Sequence, residues 1–416
     1  MRAMTCARAL DASFARLVAR RARAHRGAGA LSRARVVGGA SAALSTSKAR
    51  ESSSSSSCDG LTFKRRAAHA RLWAPGRARG RAAPYGTAAH AYADADGISA
   101  AHATDHATAH KHLILVDGLS FVFRAYYGWS ARGEGLQNSA GEDTGVLYSY
   151  ANTICSLLEL RPTHLAVCFD AKGKTFRHEM FVEYKANRPP TPEPLLDVIP
   201  KVENLVRDMG VPLLRLSGVE ADDIIGTMTR RAADDGFHVS IVSPDKDFYQ
   251  LLSPRVRMLR PSKTNKGDPF EPFTVEDFRV MHDNAIEPKQ FVDFLALVGD
   301  SSDNIPGVEG VGPKTALPLL ERYGDIETIL ANAATVKGKR ARESLLSEKG
   351  AASAVLSRRL VEIRQNLTVP SLNEPLLPLD DLRVKPPADG GLAAMRAFER
   401  YELANAAERW KRVVRL

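Results

Sequence analysis

Four short apolar runs occur between His112 and Val242, and each is followed by polar or turn-forming residues. The runs are His112–Val116, Leu165–Phe169, Leu213–Leu216 and Val239–Val242. Runs of this length that end near Asp, Gly or Pro are typical of buried β-strands. Longer stretches with helix-like apolar spacing lie between them, at Thr144–Leu160, Pro194–Met209 and Ala221–Asp235. The alternation predicts a parallel sheet with helices on both faces.

The pattern changes at two further places along the chain. Residues 1–105 show no sustained apolar period and are rich in Ala, Arg and Ser, so we expect this segment to be disordered. Residues 110–272 carry the α/β pattern, whereas residues 273–416 show helical stretches separated by Gly and Pro loops. No apolar run approaches the roughly 18 residues of a transmembrane helix, so no membrane association is expected.

The net charge of +10 is concentrated in the N-terminal segment. Residues 1–90 contain 16 Arg and 2 Lys against three acidic residues, whereas the remainder contains 40 basic and 45 acidic residues. An Arg-rich, Ser-rich and acid-poor segment is typical of a mitochondrial or plastid transit peptide. The sequence therefore predicts import into a mitochondrion or chloroplast. A basic arm that binds nucleic acid directly is the alternative interpretation.

Nine acidic residues lie at the ends of predicted elements. They are Asp117, Asp170, Asp245 and Asp247 after strand-like runs, Glu220, Asp222 and Asp223 at a helix start, and Asp300 and Asp303 after a glycine. Each group alone is more commonly a turn or a helix cap. Together they point to a metal site, because crowded carboxylates repel one another and hard divalent cations relieve the repulsion. Two such ions can hold the attacking and leaving oxygens of a phosphoryl displacement.

A series of short motifs then identifies a family resemblance from about residue 112 to the C-terminus. The motifs are Leu115-Val-Asp117-Gly118, Phe169-Asp170-Ala-Lys172, Phe176-Arg177-His-Glu179, Tyr184-Lys185-Ala-Asn187-Arg188, Gly218-Val-Glu220-Ala-Asp222-Asp223, Asp245-Lys-Asp247, Gly299-Asp300-Ser-Ser-Asp303-Asn304-Ile-Pro306-Gly307 and Gly310-Val-Gly312-Pro-Lys314-Thr315-Ala316. Together they resemble the 5′-nucleases of the DNA polymerase I and flap endonuclease superfamily. The resemblance implies a PIN-like 5′-nuclease α/β fold with a parallel central sheet and a helical arch, followed by an all-helical helix-hairpin-helix subdomain.

The resemblance also implies a site for two Mg²⁺ ions, for which Mn²⁺ can substitute. By motif position, the first ion would be held by Asp117, Asp170, Glu220 and Asp222, the second by Asp245, Asp247 and Asp300, with Asp223 and Asp303 in support. Every acidic residue that the motifs require is present, which argues against an inactive scaffold of the same fold.

Two nucleic-acid contacts near the metal site follow from the same resemblance. Phe123 would stack on a base near the scissile phosphate, and a core phenylalanine is the alternative. Arg177, Lys185 and Arg188 would lie in the arch, contact phosphates and stabilise transition-state charge, and a solvated basic face is the alternative.

A third contact is implied further along the chain, at a Gly-rich hairpin that enters a helix. Its residues are Gly307, Gly310, Gly312, Lys314 and Thr315. Glycines allow close backbone approach to phosphate, and a helix N-terminus attracts anions. We expect duplex binding there, together with a monovalent cation such as K⁺. The alternative is a plain turn between helices.

The leading hypothesis is a structure-specific 5′-3′ exonuclease and 5′-flap endonuclease. Its partners would be DNA with 5′ ends, flaps or RNA primers during organellar replication and repair. We expect a monomer that works with a separate organellar DNA polymerase, since no polymerase domain fits in the remaining length. The alternatives are an inactive DNA-binding scaffold and a PIN-like RNA-processing nuclease, a class that is short and lacks the Gly-rich hairpin.

Overall fold

The computed structural model describes residues 111–133, 135–262, 268–369 and 374–414. The predicted disorder and transit peptide of residues 1–105 lie outside the described residues. The described residues belong to one compact unit.

Six strands form the central sheet in the order β3-β2-β1-β4-β5-β6. Their bounds are β1 His112–Asp117, β2 His164–Cys168, β3 Leu213–Leu214, β4 His238–Val242, β5 Val256–Pro261 and β6 Phe270–Phe273. β1 is central and buried at every residue, which explains its continuous apolar run. β2 and β3 lie on one side of β1, whereas β4 lies on its other side, so the strand order changes direction between β1 and β4. Ligands bind at the carboxyl edge of such a reversal.

Helices cover both faces of this sheet. Their bounds are α1 Gly118–Ser130, α2 Gly145–Glu159, α3 Phe176–Met180, α4 Glu193–Asp208 and α5 Ala221–Asp234. α1, α2 and α4 share one apolar core with Ile114 and Val116 of β1. α5 contacts β1, β2 and β4. The predicted parallel sheet with helices on both faces is confirmed.

Two strands were not predicted from the sequence, and both lie at one edge of the sheet. β5 pairs parallel to β4, and β6 pairs antiparallel to β5. β5 contains Arg257 and Arg260, and only part of the strand is buried. Charged residues at a sheet edge interrupt the apolar run that otherwise signals a strand.

The chain after β6 is mainly helical. The helices are α6 Val275–Met281, α7 Phe291–Val298, α8 Pro313–Tyr323, α9 Ile326–Ala331, α10 Lys339–Leu346, α11 Glu348–Val361, α12 Leu392–Arg400 and α13 Ala404–Val414. α11 packs along α7. A small antiparallel pair, β7 Thr368–Val369 with β8 Glu374–Pro375, lies in the part expected to be entirely helical.

The last two helices return to the α/β core. Phe398 of α12 and Trp410 of α13 are buried in the apolar cluster that α1, α2 and α4 form. Trp410 Nε1 donates to the Met209 carbonyl at 3.3 Å, and Arg409 pairs with Glu159 at 2.5 Å. The separate domain of residues 273–416 stays a prediction, but its last two helices pack on the α/β core, because the partner of an amphipathic helix is set by long-range packing. In the described part of the chain, no helix is both long and apolar enough to cross a membrane.

Candidate metal centre and nucleic-acid interface

Three acidic residues meet at the carboxyl edge of the sheet. Asp117 ends β1, Asp170 follows β2, and Asp245 follows β4. These strands are adjacent and parallel, with Asp117 in register with Cys168 of β2. Neighbouring strand ends therefore bring the three carboxylates to one edge, as the sequence predicted.

Asp117 is the best buried of the three and caps helix α1. Its Oδ1 accepts from Ser120 N at 3.3 Å, and its Oδ2 accepts from Ser120 Oγ at 2.5 Å and Ser243 Oγ at 2.8 Å. Burial nevertheless raises the pKa of Asp117 to about 6, and the negative charges of Asp170 and Asp245 add to the increase. Its anion therefore lacks a compensating cation.

Helix α5 adds a second set of acidic residues beside this edge. Glu220 is its N-cap residue, and the amide of Ala221 donates to Asp170 Oδ1 at 2.7 Å. Burial raises the pKa of Asp222 well above its usual range, and Asp117 and Asp245 raise it further. The helix thus presents Asp222 to the carboxylates of the sheet.

Asp247 lies beyond Asp245 in a 3₁₀ turn, Lys246–Leu251. Burial and then Asp245 raise its pKa well above the usual range. Its Oδ1 atom is buried and has no hydrogen-bond partner among the described residues. Burial also raises the pKa of Asp245, to which Asp303 and Asp300 contribute. An unpartnered buried carboxylate oxygen is what a bound cation would satisfy.

Two lysines neutralise other acidic residues in the cluster. Lys185 Nζ lies 3.0 Å from Glu220 Oε2, and Lys246 Nζ lies 2.6 Å from Asp300 Oδ2. Burial alone would raise the pKa of Glu220, but Lys185 and Arg177 lower it. Burial alone would also raise the pKa of Asp300, but Lys246 and Ser302 lower it. These two acidic groups already have positive or donor partners.

The remaining carboxylates fit hard divalent cations. Burial raises the pKa of five of them, which are Asp117, Asp170, Asp222, Asp245 and Asp247. Within the described ranges, no three acidic, histidine or cysteine side chains form a finished ligand cage. Mg²⁺ requires few direct carboxylates and retains several waters, so an open set of oxygen donors suits it.

The contacts of Arg177 differ from the phosphate contact that was expected of it. Its guanidinium forms two hydrogen bonds of 2.7 and 2.8 Å with Asp223, and its Nε and Nη2 donate to the carbonyls of Leu360 and Glu362. Only 2% of the residue is exposed, and Glu220 lies 3.4 Å away. Its donors are occupied inside the protein, so it supports α5 rather than presenting a free cation to phosphate. Asp223 correspondingly pairs with Arg177.

The predicted arch contains one short helix, α3, followed by turns. Lys185 is half-buried and has a φ of 56°, a conformation that is uncommon outside glycine. Its amide donates to the Asp303 carbonyl at 3.0 Å. Arg188 pairs with Asp303 through a more exposed side chain. Lys185 and Arg188 therefore lie beside the carboxylates, and their contacts with phosphate stay a prediction.

Two residues at the site were not singled out from the sequence. Tyr184 Oη lies 3.1 Å from both Glu220 Oε2 and Asp303 Oδ2, and the residue is buried. Lys246 neutralises Asp300. Each stands next to a residue that was singled out, since Tyr184 precedes Lys185 and Lys246 lies between two acidic residues. Their positions next to predicted site residues were the sequence signal that could have identified them.

Phe123 is half-buried on α1, between core and solvent. Its ring stacks on Tyr127 at 6.3 Å between centroids. Both rings line a groove of about 760 Å³ together with Trp129, Arg124 and Arg132. Phe123 packs in part against the core, which supports the alternative of a core phenylalanine. Because its ring also lines the groove, base stacking stays a prediction.

The Gly-rich hairpin lies between α7 and α8. Gly307 and Gly310 have positive φ values of 64° and 79°, and Gly312 is the N-cap residue of α8. Lys314 is exposed in the first turn of that helix, and the Thr315 amide bonds back to the Gly312 carbonyl. The expected hairpin that enters a helix is therefore present. Binding of K⁺ there stays a prediction.

Comparison with known proteins settles the family. A family model described as the N-terminal resolvase-like domain of 5′-3′ exonuclease matches residues 112–281, and one described as its C-terminal SAM fold matches residues 286–389. The 5′-3′ exonuclease of Aquifex aeolicus is 42% identical over 223 residues, which cover 53% of this chain and 73% of that protein. The chain belongs to the 5′-3′ exonuclease family. The resemblance and the assignment as a nuclease are thereby confirmed.

Other similar proteins differ in length or in sequence. DNA polymerase I of Bacillus caldotenax is 40% identical over 274 residues, which cover 65% of this chain but only 29% of the polymerase. The solved T5 5′-exonuclease, with bound zinc, has a TM-score of 0.50 at 21% identity and covers 72% of this chain and 100% of that one. At this identity the likeness shows the fold, a 5′-nuclease α/β core followed by a helical region.

Proposed function

We propose that this 5′-3′ exonuclease family member cleaves DNA at 5′ ends and 5′ flaps by two-metal catalysis with Mg²⁺, for which Mn²⁺ can substitute. One observation carries the proposal. Five carboxylates, one buried and four half-buried, gather near the carboxyl edge of the sheet with pKa values that burial raises. Buried anions of this kind require a cation, and the solved T5 relative carries divalent metal ions.

The proposed ligands form two groups that share Asp245. Asp222 interacts electrostatically with Asp117, Asp245 and Asp170, and Asp247 interacts with Asp245 and Asp300. When bound, divalent ions would activate water and stabilise the leaving oxygen. Tyr184 and Lys185 hold Glu220 in place by hydrogen bonds of 3.1 and 3.0 Å. Arg188 pairs with Asp303, and the exposed half of its side chain would orient a phosphate group.

The substrate is proposed to be DNA with 5′ ends, flaps or RNA primers. Lys314 is exposed at the N-terminus of α8, where backbone amides and a lysine together suit a duplex phosphate. The described body carries more acidic than basic residues, so local contacts of this kind must supply the affinity.

Cleavage of an end-labelled 5′-flap DNA tests the proposal directly. Wild-type protein should cut in Mg²⁺ and not in EDTA, and Asp222→Asn should abolish cleavage while keeping its fold by circular dichroism. Asp381→Asn, an exposed position, is the control. A folded wild-type protein that never cuts would support the inactive scaffold, and cleavage of RNA strands alone would support an RNA-processing nuclease.

We further propose that the protein acts in a mitochondrion or chloroplast, as a monomer beside a separate DNA polymerase. The acid-poor, Arg-rich composition of residues 1–90 supports the proposed location. Fusion of residues 1–60 to a fluorescent protein should direct it into one of these organelles. Diffuse cytosolic or nuclear fluorescence would contradict the proposal.

A further inference from the structure

The backbone of the hairpin is held by helix α11. Gly307 N donates to Ser357 Oγ at 3.0 Å, and Ser353 Oγ donates to Gly307 O at 2.6 Å. Ser357 is fully buried. A Cβ at Gly307 would lie 2.5 Å from Gly299 N, so the chain can approach this closely only at glycine. Gly299 precedes Asp300, so the hairpin is fixed between α11 and a proposed metal ligand.

The C-terminal end of α11 contacts Arg177 and Gln250, which lie next to proposed metal ligands in the fold. There the chain continues as residues 362–367, a segment without helix or strand structure that we call the strap. Arg177 Nε donates to the Leu360 carbonyl at 2.8 Å. The Ile363 amide donates to Gln250 Oε1 at 2.9 Å. Side chains of α3 and of the 3₁₀ turn therefore hold the end of α11 and the start of the strap.

The strap is then attached to α5, the helix that carries proposed metal ligands. The Arg364 amide donates to Asp223 Oδ1 at 2.9 Å. Thr227 Oγ1 donates to the Arg364 carbonyl at 3.3 Å and accepts from the Leu367 amide at 3.2 Å. A Cβ at Gly226 would lie 2.9 Å from that same carbonyl oxygen, so helix and strap are in direct backbone contact.

A continuous set of buried and half-buried polar contacts thus joins the hairpin to α5. It begins at the hairpin, follows α11 and the strap, and ends on the first two turns of α5. Asp223 and Thr227 stand one helical turn apart on α5, directly after Glu220 and Asp222. A shift of the hairpin would therefore be transmitted to the end of α5 where these carboxylates lie.

We propose that Ser357 and Thr227 are positioning residues that couple duplex binding at the hairpin to the placement of the α5 carboxylates, through α11 and the strap. The inference rests on the proposed function and adds how substrate binding and the metal centre communicate. Catalytic groups must be held within fractions of an ångström, so a rigid link can decide the rate without touching substrate.

The first test compares two threonines on α5. Thr227→Val removes both strap hydrogen bonds at nearly constant volume. It should slow single-turnover flap cleavage at saturating DNA by about tenfold and raise the Mg²⁺ concentration for half-maximal rate, with little change in duplex affinity. Thr227→Ser should restore most of the rate. Thr229→Val is the matched control, because Thr229 Oγ1 is buried without a hydrogen-bond partner in the described residues.

The second test is a double-mutant cycle between Ser357→Ala and Thr227→Val. The two side chains share no direct contact, so independent effects would multiply in the double variant. Coupling predicts instead that the double variant is about as slow as the slower single variant. Multiplying effects, or equal rates for Thr227→Val and Thr229→Val, would overturn the inference.

A third readout needs neither metal nor cleavage. Hydrogen exchange of the full chain in EDTA should slow at the Arg364 and Leu367 amides when a short DNA duplex binds. This protection should be absent in Ser357→Ala although the duplex is still bound. Protection that stops at the hairpin in wild type would overturn the link alone. A wild-type protein that neither binds duplex nor cuts flaps would overturn both this inference and the proposed function.

Discussion

At the scale of single residues, neighbouring acidic side chains on one helix have different surroundings. Asp223 is fully buried and bonded to Arg177, whereas burial and the charges of Asp117 and Asp245 work against the anion of Asp222. The sequence Glu-Ala-Asp-Asp indicated a carboxylate cluster but could not distinguish these roles. The distinction depends on Arg177, which is distant in sequence and was expected to contact phosphate from the arch.

This difference predicts opposite stability effects in EDTA. Asp223→Asn should lower the free energy of unfolding by about 3 kcal/mol, because it leaves Arg177 buried without its partner. Asp222→Asn should instead raise it by about 1 kcal/mol, because one of several repelling anions is lost. Urea unfolding of both variants measures the signs. A similar loss of stability in both would mean that Asp222 is as well compensated as Asp223.

A buried histidine at the start of β1 gives the protein a pH-dependent stability. Burial lowers the pKa of His112 to about 4, helped by Arg257 and His238. Below about pH 6.5, His112 is protonated in the unfolded chain but stays neutral in the folded chain until about pH 4. Stability is therefore full above that pH and falls on acidification, by about 2 kcal/mol between pH 7 and pH 5. Between pH 7 and pH 5, the free energy of unfolding of His112→Gln should fall by about 2 kcal/mol less than that of the wild type. Urea unfolding at both pH values measures this difference.

At the scale of elements, local pattern and long-range packing contributed differently. β1, β2 and β4 were predictable because each is a continuous apolar run buried in the sheet. β5 and the edge strand β6 were missed because charged residues and proline interrupt their apolar runs. The hairpin before α8 was predictable from its glycines, whereas the seating of α12 and α13 on the α/β core was not, since it depends on partners far away in sequence.

The returning C-terminal helix should be essential to the stability of that core. Trp410→Ala removes a fully buried side chain and its hydrogen bond to the Met209 carbonyl. The free energy of unfolding should therefore fall by about 3–5 kcal/mol. Leu392→Ala on α12, where 60% of the residue is exposed, should change stability by less than about 0.5 kcal/mol. Equal thermal midpoints for the two variants would show that α13 is not part of the cooperative unit.

The hairpin should contribute a measurable electrostatic term to duplex binding. Lys314→Ala should weaken duplex affinity and reduce the salt dependence by about one unit, the value for one lost phosphate contact. Cleavage at saturating DNA should change less, because the carboxylates are untouched. Lys411→Ala on α13 is the control. Anisotropy titrations over a range of salt concentrations give both slopes, and an unchanged slope for Lys314→Ala would leave the hairpin a purely structural turn.

At the scale of the whole molecule, charge and chemistry are separated along the chain. The proposed ligands and DNA contacts all lie after residue 110, in a part of the chain with more acidic than basic residues. The strongly basic residues 1–90 contain none of them. Such a separation is expected if the basic segment serves targeting and the remainder serves cleavage, whereas a basic DNA-binding arm would contribute directly to affinity.

A chain that starts at Ala107 distinguishes these two roles. If the basic segment is a targeting peptide, the shortened protein should cut 5′ flaps at the full-length rate and bind duplex with the same salt dependence. If the segment is a DNA-binding arm, removing its 16 arginines and 2 lysines should weaken binding and lower the salt slope by about one unit for each lost phosphate contact. Parallel measurements on Lys314→Ala in both backgrounds complete the test. The effect of Lys314→Ala should be identical in the two, because the proposed phosphate contact of Lys314 does not involve the N-terminal segment.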